Sequence, residues 1–243
     1  MVRSLNKFVL CASALLLLVS FWERDALPGG IAFRPELTHE PVQKPTAKKP
    51  FTVDYAGVRY AVEPQFEYEL YGMVVSYRQH DGKSFMHRMS NDHLNMADLC
   101  VVWSDTAFSP TLHKVKFWNG IFTCNYHTSD NEAWAAFKQN QVSNNHLISA
   151  DPLIRGRVGE VHIGDQVRIR GWLSRYGSGA GMRGTSTTRD DTGDGACETI
   201  FVADFAIVAP ASSGWRLAMY LSLAVLAVAL AVHFKQPYRP YAD

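Results

Sequence analysis

The chain reads as mainly β: a small OB-like barrel or sandwich with one or two short helices, flanked by N- and C-terminal transmembrane helices. Three observations predict this. Two uncharged apolar stretches, Phe8–Trp22 and Leu217–Phe234, lie near the two ends. Between them, about five segments are rich in β-branched and aromatic residues, as strands are. Helix signals are few and fall between the third and fourth of those segments.

A helix crosses about 30 Å of hydrocarbon with roughly 20 apolar residues. The second stretch has that length, with Trp215 and Tyr220 at its leading end and Tyr238 beyond it as interface anchors. The first is shorter and spans if Leu5 and Asn6 join it and Lys7 snorkels. A cleaved signal peptide needs a small-x-small site just past its apolar core. Glu23, Arg24 and Asp25 follow instead, and Ala12-x-Ala14 comes too early. Residues 1–26 are therefore expected to be an anchor, 211–234 a second span and 235–243 a cytoplasmic tail. Arg3 and Lys7 precede the first span and Lys235 and Arg239 follow the second, while Glu23 and Asp25 outweigh Arg24 on the other side; Arg216 runs against the trend. By the positive-inside rule both termini face the cytoplasm. The protein is thus expected in a bacterial inner membrane with its domain in the periplasm. Ser222 with Ala224, Ala227 and Ala231 offers small-residue faces for helix contact.

Residues 27–50 carry Pro28, Pro35, Pro41, Pro45 and Pro50, which predicts an extended, semi-rigid spacer. The folded domain is then 51–210, a length that one core can serve. Strands are expected at Tyr68–Tyr77, Leu99–Trp103, His113–Cys124, Gln166–Tyr176 and Glu198–Val208. The fourth alternates cleanly, Val167, Ile169 and Leu173 against Arg168, Arg170 and Trp172, after a Gly164-Asp165 turn. Ser129-x-x-Glu132 is a capping box leading into a short helix. Asp151-Pro152 starts another, which Gly156 and Gly159 curtail.

Five strands with helical material between the third and fourth match the order of an OB-fold. The phrase HIGDQVRIRGWL (His162–Leu173) resembles a strand of many OB-type barrels. Together with SNNHLISAD (Ser143–Asp151) and TSTTRDDTGDGACE (Thr185–Glu198), it resembles an uncharacterised family of bacterial membrane-anchored hypothetical proteins, over about 68–208. The resemblance implies the architecture and no reaction.

Cys100, Cys124 and Cys197 lie outside the apolar stretches, enough for one internal disulfide with one thiol left over. The sharpest ligand-binding pattern is a repeated triplet, Lys114-x-Lys116-x-Trp118 and Arg168-x-Arg170-x-Trp172. On neighbouring strands it would make a basic platform edged with indoles, fit for a polyanion or a glycan. The alternative is a solvated sheet face whose long cations cover the rings. Between Glu23 and Ser213 there are 19 Lys and Arg against 22 Asp and Glu, so nucleic acid is not an expected partner. His80, His87, His93, His113, His127 and His146 show no metal-ligand spacing. His146 is the best single candidate, beside Asn144, Asn145 and Asp151. Asp190-x-Thr192-x-Asp194-Gly195 repeats half of a calcium loop, but Phe201 stands where the closing Glu would be. That stretch is expected to be a hairpin, and neither a metal nor another cofactor is expected.

The functional expectation is a non-enzymatic, membrane-anchored binding domain, contacting the lipid bilayer and a membrane or envelope protein. The alternative is a metal-dependent hydrolase of an envelope or nucleic-acid polymer, acting through His146, Asp151 and the 190–198 loop.

Overall fold

A computed structural model describes residues 2–27, 31–80, 91–120, 122–179, 181–189, 191 and 196–235. The chain divides into two compact units, one made of both ends and one of residues 29–211.

The first unit is a pair of antiparallel helices, α1 (Val2–Glu23) and α5 (Gly214–Lys235), each long and apolar enough to cross a membrane. Asn6 Nδ2 donates to the Ala229 carbonyl (3.3 Å) near one end, and Arg216 Nε to the Arg24 carbonyl (3.2 Å) near the other. Ser13 and Ser20 are buried on α1, Ser222 and Ala229 on α5. Each pair is seven residues apart, so small side chains line one seam and let the backbones approach. Both serines of α1 donate back to their own helix, Ser13 to Val9 and Ser20 to Leu16. Of the small residues expected at the contact, Ser222 is there; Ala224, Ala227 and Ala231 are exposed.

The second unit is mainly sheet. Its strands are β1 (Val42–Pro45), β2 (Phe51–Tyr55), β3 (Val58–Gln79), β4 (Asn95–Val102), β5 (Lys116–Asn119), β6 (Cys124–His127), β7 (Val142–Ile148), β8 (Gln166–Ser178), β9 (Gly181–Arg183) and β10 (Glu198–Ala209). Short helices α2 (Ser104–Phe108), α3 (Asn131–Ala136) and α4 (Pro152–Gly159) interrupt them. In the large sheet the pairing runs β3–β4–β7–β10–β8 and returns to β3, all antiparallel except β7–β10, which is parallel. Leu70, Leu99, Leu147, Ile169 and Ile200, one from each of these strands, are fully buried in one core cluster. Ile154 and Val158 of α4 join it. β8 lies so close to β10 that a Cβ on Gly171 would stand 2.1 Å from the Phe201 carbonyl oxygen.

The Gly-Asp turn behaves as the sequence predicts. Gly164 takes φ +91°, which glycine accepts without penalty. Asp165 ties the corner together, accepting from the His162 and Ala211 amides. Both helix starts are capped by Asp: Asp130 accepts from Ala133 N, one residue later than the capping box implied, and Asp151 from Leu153 N.

Two expectations are corrected. Residues 31–50 are no free spacer: β1 pairs with β3 and Leu37 is fully buried. Proline lacks a donor but suits an edge strand, which is what β1 is. His113–Cys124 is not one core strand; it folds as a 3-10 turn (Leu112–Lys114), β5 and the loop to β6. The third strand of the circuit is β7, whose polar run Ser143-Asn144-Asn145-His146 hides its strand character.

Candidate functional site: Asp98, His146 and Cys197 on one face of the large sheet

Side chains alternate between faces along a strand, and the registers place one outer face of the large sheet. Asp98 on β4 sits opposite His146 on β7, and His146 opposite Thr199 on β10. One rung along, Cys100 pairs with Asn144, and Cys197 immediately precedes β10. The intervening residues Leu99, Leu147 and Ile200 point to the core. This face therefore carries Asp98, His146, Asn144, Cys100, Cys197 and Thr199 together.

Asp98 is fully buried. Its Oδ1 lies 2.6 Å from His146 Nδ1 and accepts from Asn95 Nδ2 (3.1 Å), while Oδ2 lies 2.9 Å from His80 Nε2. Burial alone would raise its pKa, but the two imidazoles outweigh it and hold the carboxyl below the usual carboxylate range. For His146, burial would favour the neutral ring. Hydrogen bonds to Asp98 and Cys197 reverse this and push it up to about 10. With Nδ1 held by Asp98, Nε2 is the nitrogen left for the thiol. Cys197 is partly exposed and is a free thiol. Its sulfur lies 3.4 Å from Asn144 Nδ2 and 3.6 Å from the Phe122 carbonyl.

The β5–β6 hairpin roofs this face. The Cys100–Cys124 disulfide fastens it to β4, and Ser76 Oγ donates to Asn119 Oδ1 (2.5 Å). Phe122 holds φ +58°, a costly conformation for a bulky residue, with its carbonyl on Asn144 and Cys197 and its ring edge-on to His146. Beside the roof, Cys197 and His146 open on a cavity of about 350 Å³ that is also bounded by Asn95, Tyr176, Arg183 and Thr199. Tyr176 donates to Asp92 at 2.9 Å, and Arg183 pairs with the same carboxylate at 3.3 Å.

No family model, curated protein or solved structure matches this chain. The site must be read from its chemistry.

The two basic triplets do not meet. Among the described residues β5 pairs with β6 alone, whereas β8 pairs with β3, β9 and β10. Lys114 lies in the 3-10 turn and its ammonium is held by Asp130 at 2.9 Å; Lys116 and Trp118 are exposed on the hairpin. Arg168 is paired with Asp204, and Lys48 stands 4.9 Å over the Trp172 ring. Arg170 and Trp172 instead border a groove of about 400 Å³ with Lys44, Glu67, Glu69 and Asp204. Opposite charges on adjacent strands replace the expected basic platform.

The residues named for a metal-dependent hydrolase also separate. Asp151 caps α4. Glu198 faces the core, 2.8 Å from Arg189, where burial, against that guanidinium, raises its pKa to about 7. Asp190 and residues 192–195, with the half calcium loop, lie outside the described residues. Among the described residues no three His, Cys, Asp or Glu side chains are grouped to hold a metal ion. His146 is where sequence reading looked; Asp98 and Cys197 are the partners it missed.

These environments predict a pH-dependent stability. His146 binds its proton more tightly folded (about 10) than unfolded (6.5), so its contribution is complete below 6.5 and is lost as pH rises through about 10. Glu198, raised from 4.5 to about 7, stabilises below 4.5 and loses that contribution through about 7. Asp98 has the opposite sign: its contribution is present above 3.8 and fails in acid. Melting temperature of the full chain in detergent should fall in two stages between about pH 5 and 10. Glu198→Gln should flatten the first stage and His146→Gln the second.

Proposed function

We propose that the domain is a thiol-dependent acyl-group hydrolase or transferase, with Cys197 as nucleophile, His146 as proton carrier and Asp98 as the group that orients His146. The observation that carries this reading is that Asp98 and His146 face each other on β4 and β7 while Cys197, just before β10, opens with His146 on the same cavity. A nucleophile, a base and an orienting carboxylate in that order form the recurrent arrangement for covalent acyl transfer. His146 takes the proton of Cys197 as its Sγ attacks the substrate carbonyl carbon to form a tetrahedral oxyanion. Asn144 Nδ2, 3.4 Å from the sulfur, is placed to donate to that oxygen. The oxyanion collapses to a thioester as the leaving group takes the proton from His146. Water, deprotonated by His146, or another acceptor then releases the acyl group.

The compartment belongs to the same reading. A disulfide is suited to an oxidising space, and basic flanks at both ends favour cytoplasmic termini. The domain is then periplasmic, carried by two inner-membrane spans. An OB-like barrel is supported by the five-strand circuit with one parallel pair and by α4 between its third and fourth strands.

A second reading rests on the groove at Arg170 and Trp172, whose indole edge and mixed charges suit capture of a polar envelope polymer, glycan or protein.

The nucleophile is tested by alkylation of the full chain with iodoacetamide, read as the rate at the Cys197 peptide by mass spectrometry. His146→Ala should slow that rate by about 10²-fold. An unchanged rate would remove His146 from the chemistry.

A further inference from the structure

Arg183 borders the same cavity as Cys197 and His146. It stands opposite Tyr176 in the β8–β9 register, so the two side chains leave the sheet on one face. Both reach Asp92. The Tyr176 hydroxyl lies 2.9 and 3.0 Å from the two carboxylate oxygens, and Arg183 Nε lies 3.3 Å from Oδ2. The Asp92 side chain is 1% exposed and does not line the cavity, whereas that of Arg183 is 35% exposed. The guanidinium is thus anchored from behind, through one edge, by a carboxylate out of reach of a ligand.

A guanidinium carries five N–H donors in a fixed plane. Asp92 engages the Nε edge, and among the described residues neither Nη nitrogen of Arg183 has a hydrogen-bond partner. A planar set of this kind matches the two oxygens of a carboxylate. The rest of the wall agrees. Among the described residues no Asp or Glu lines the cavity. His146 repeats the arrangement of Arg183, since its partner Asp98 is fully buried and set back from the wall. Each pair turns its basic member to the cavity and its acid away, and the nearer charge dominates the field felt by a ligand. A partly enclosed space of this polarity concentrates anions.

Resting on the thiol-nucleophile reading, we infer that the acyl substrate carries a carboxylate, which Arg183 receives while Cys197 attacks the carbonyl carbon. Both groups share about 350 Å³, so the charge lies a short chain away from that carbon. Arg183 selects the substrate and takes no part in bond making.

The experiment compares two thiol reagents of equal length and opposite charge, carboxyethyl and aminoethyl methanethiosulfonate, on the full chain in detergent at low salt. Rates of mixed-disulfide formation at the Cys197 peptide are read by mass spectrometry. Dividing them by the rates with mercaptoethanol, a neutral thiol, removes intrinsic reactivity. The corrected ratio should favour the anionic reagent by about tenfold, the contribution of one charge-assisted hydrogen bond. Arg183→Gln should remove most of that preference; should this variant fail to fold, Arg183→Met takes its place. A corrected ratio of one in the natural chain overturns the inference. So does a preference that survives loss of the guanidinium, which would put its source at His146. Rates for both reagents that ignore His146→Ala overturn the underlying thiol reading instead, so the two failures are distinct.

Discussion

Replacing Asp98 by Asn is expected to leave the fold in place and slow Cys197 alkylation by about 10²-fold. Asn keeps the size of the side chain and its place on β4. It removes the charge that holds the proton on His146, and its NH₂ can force the wrong tautomer. The alkylation rate should also become more strongly pH-dependent, a response that a purely structural residue would not give. Asp98→Ala goes further. It takes the shared acceptor from His146, His80 and Asn95 at once. Breaking a buried ion pair from one side costs about 3–5 kcal/mol, so this variant should melt far below the natural chain. Equal melting of the Ala and Asn variants would show that the buried carboxylate is not what holds these three side chains.

Removing the disulfide has the next largest expected effect. Cys100 and Cys124 are 24 residues apart, and closing a loop of that order contributes about 3 kcal/mol. Cys100→Ser with Cys124→Ser should lower the melting temperature, and reductant should destabilise the natural chain but not the double variant. The site should respond as well, because the bridge fastens the segment that carries Phe122. With the bridge gone, the hairpin keeps the Ser76–Asn119 and Arg78–Gly120 contacts but loses its covalent tie. Cys197 alkylation should then lose its dependence on the Phe122 carbonyl and vary with reagent size. A double variant as stable as the natural chain would deny the bridge this role.

Much of the fold was legible where residues obey one constraint. Val167, Ile169 and Leu173 alternate because one face of β8 is core, and Gly164-Asp165 announces the corner before it. β7 was illegible for the opposite reason. Asn144 and His146 face the site while Asn145 is buried on the other side, bonding to Leu99 O and Ser143 Oγ. Polar residues on both faces erase the period of two on which strand reading depends. The triplets misled because spacing along one strand says nothing about which strand lies next to it. Asp98 was missed because the strand was expected at Leu99–Trp103, whereas it begins at Asn95. Cys197 was read as one of three thiols, since only the β7–β10 pairing brings it beside Asn144, on the face that carries His146.

That parallel register has an effect on the order in which reactivity arises. Parallel neighbours cannot be linked by a tight turn, so the polypeptide must pass through α4, β8 and β9 between His146 and Cys197. Acid and base are synthesised first and the sulfur arrives with the final strand. A prematurely terminated product ending before Cys197 would keep the carboxylate, both imidazoles and the bridge, yet lack the thiol.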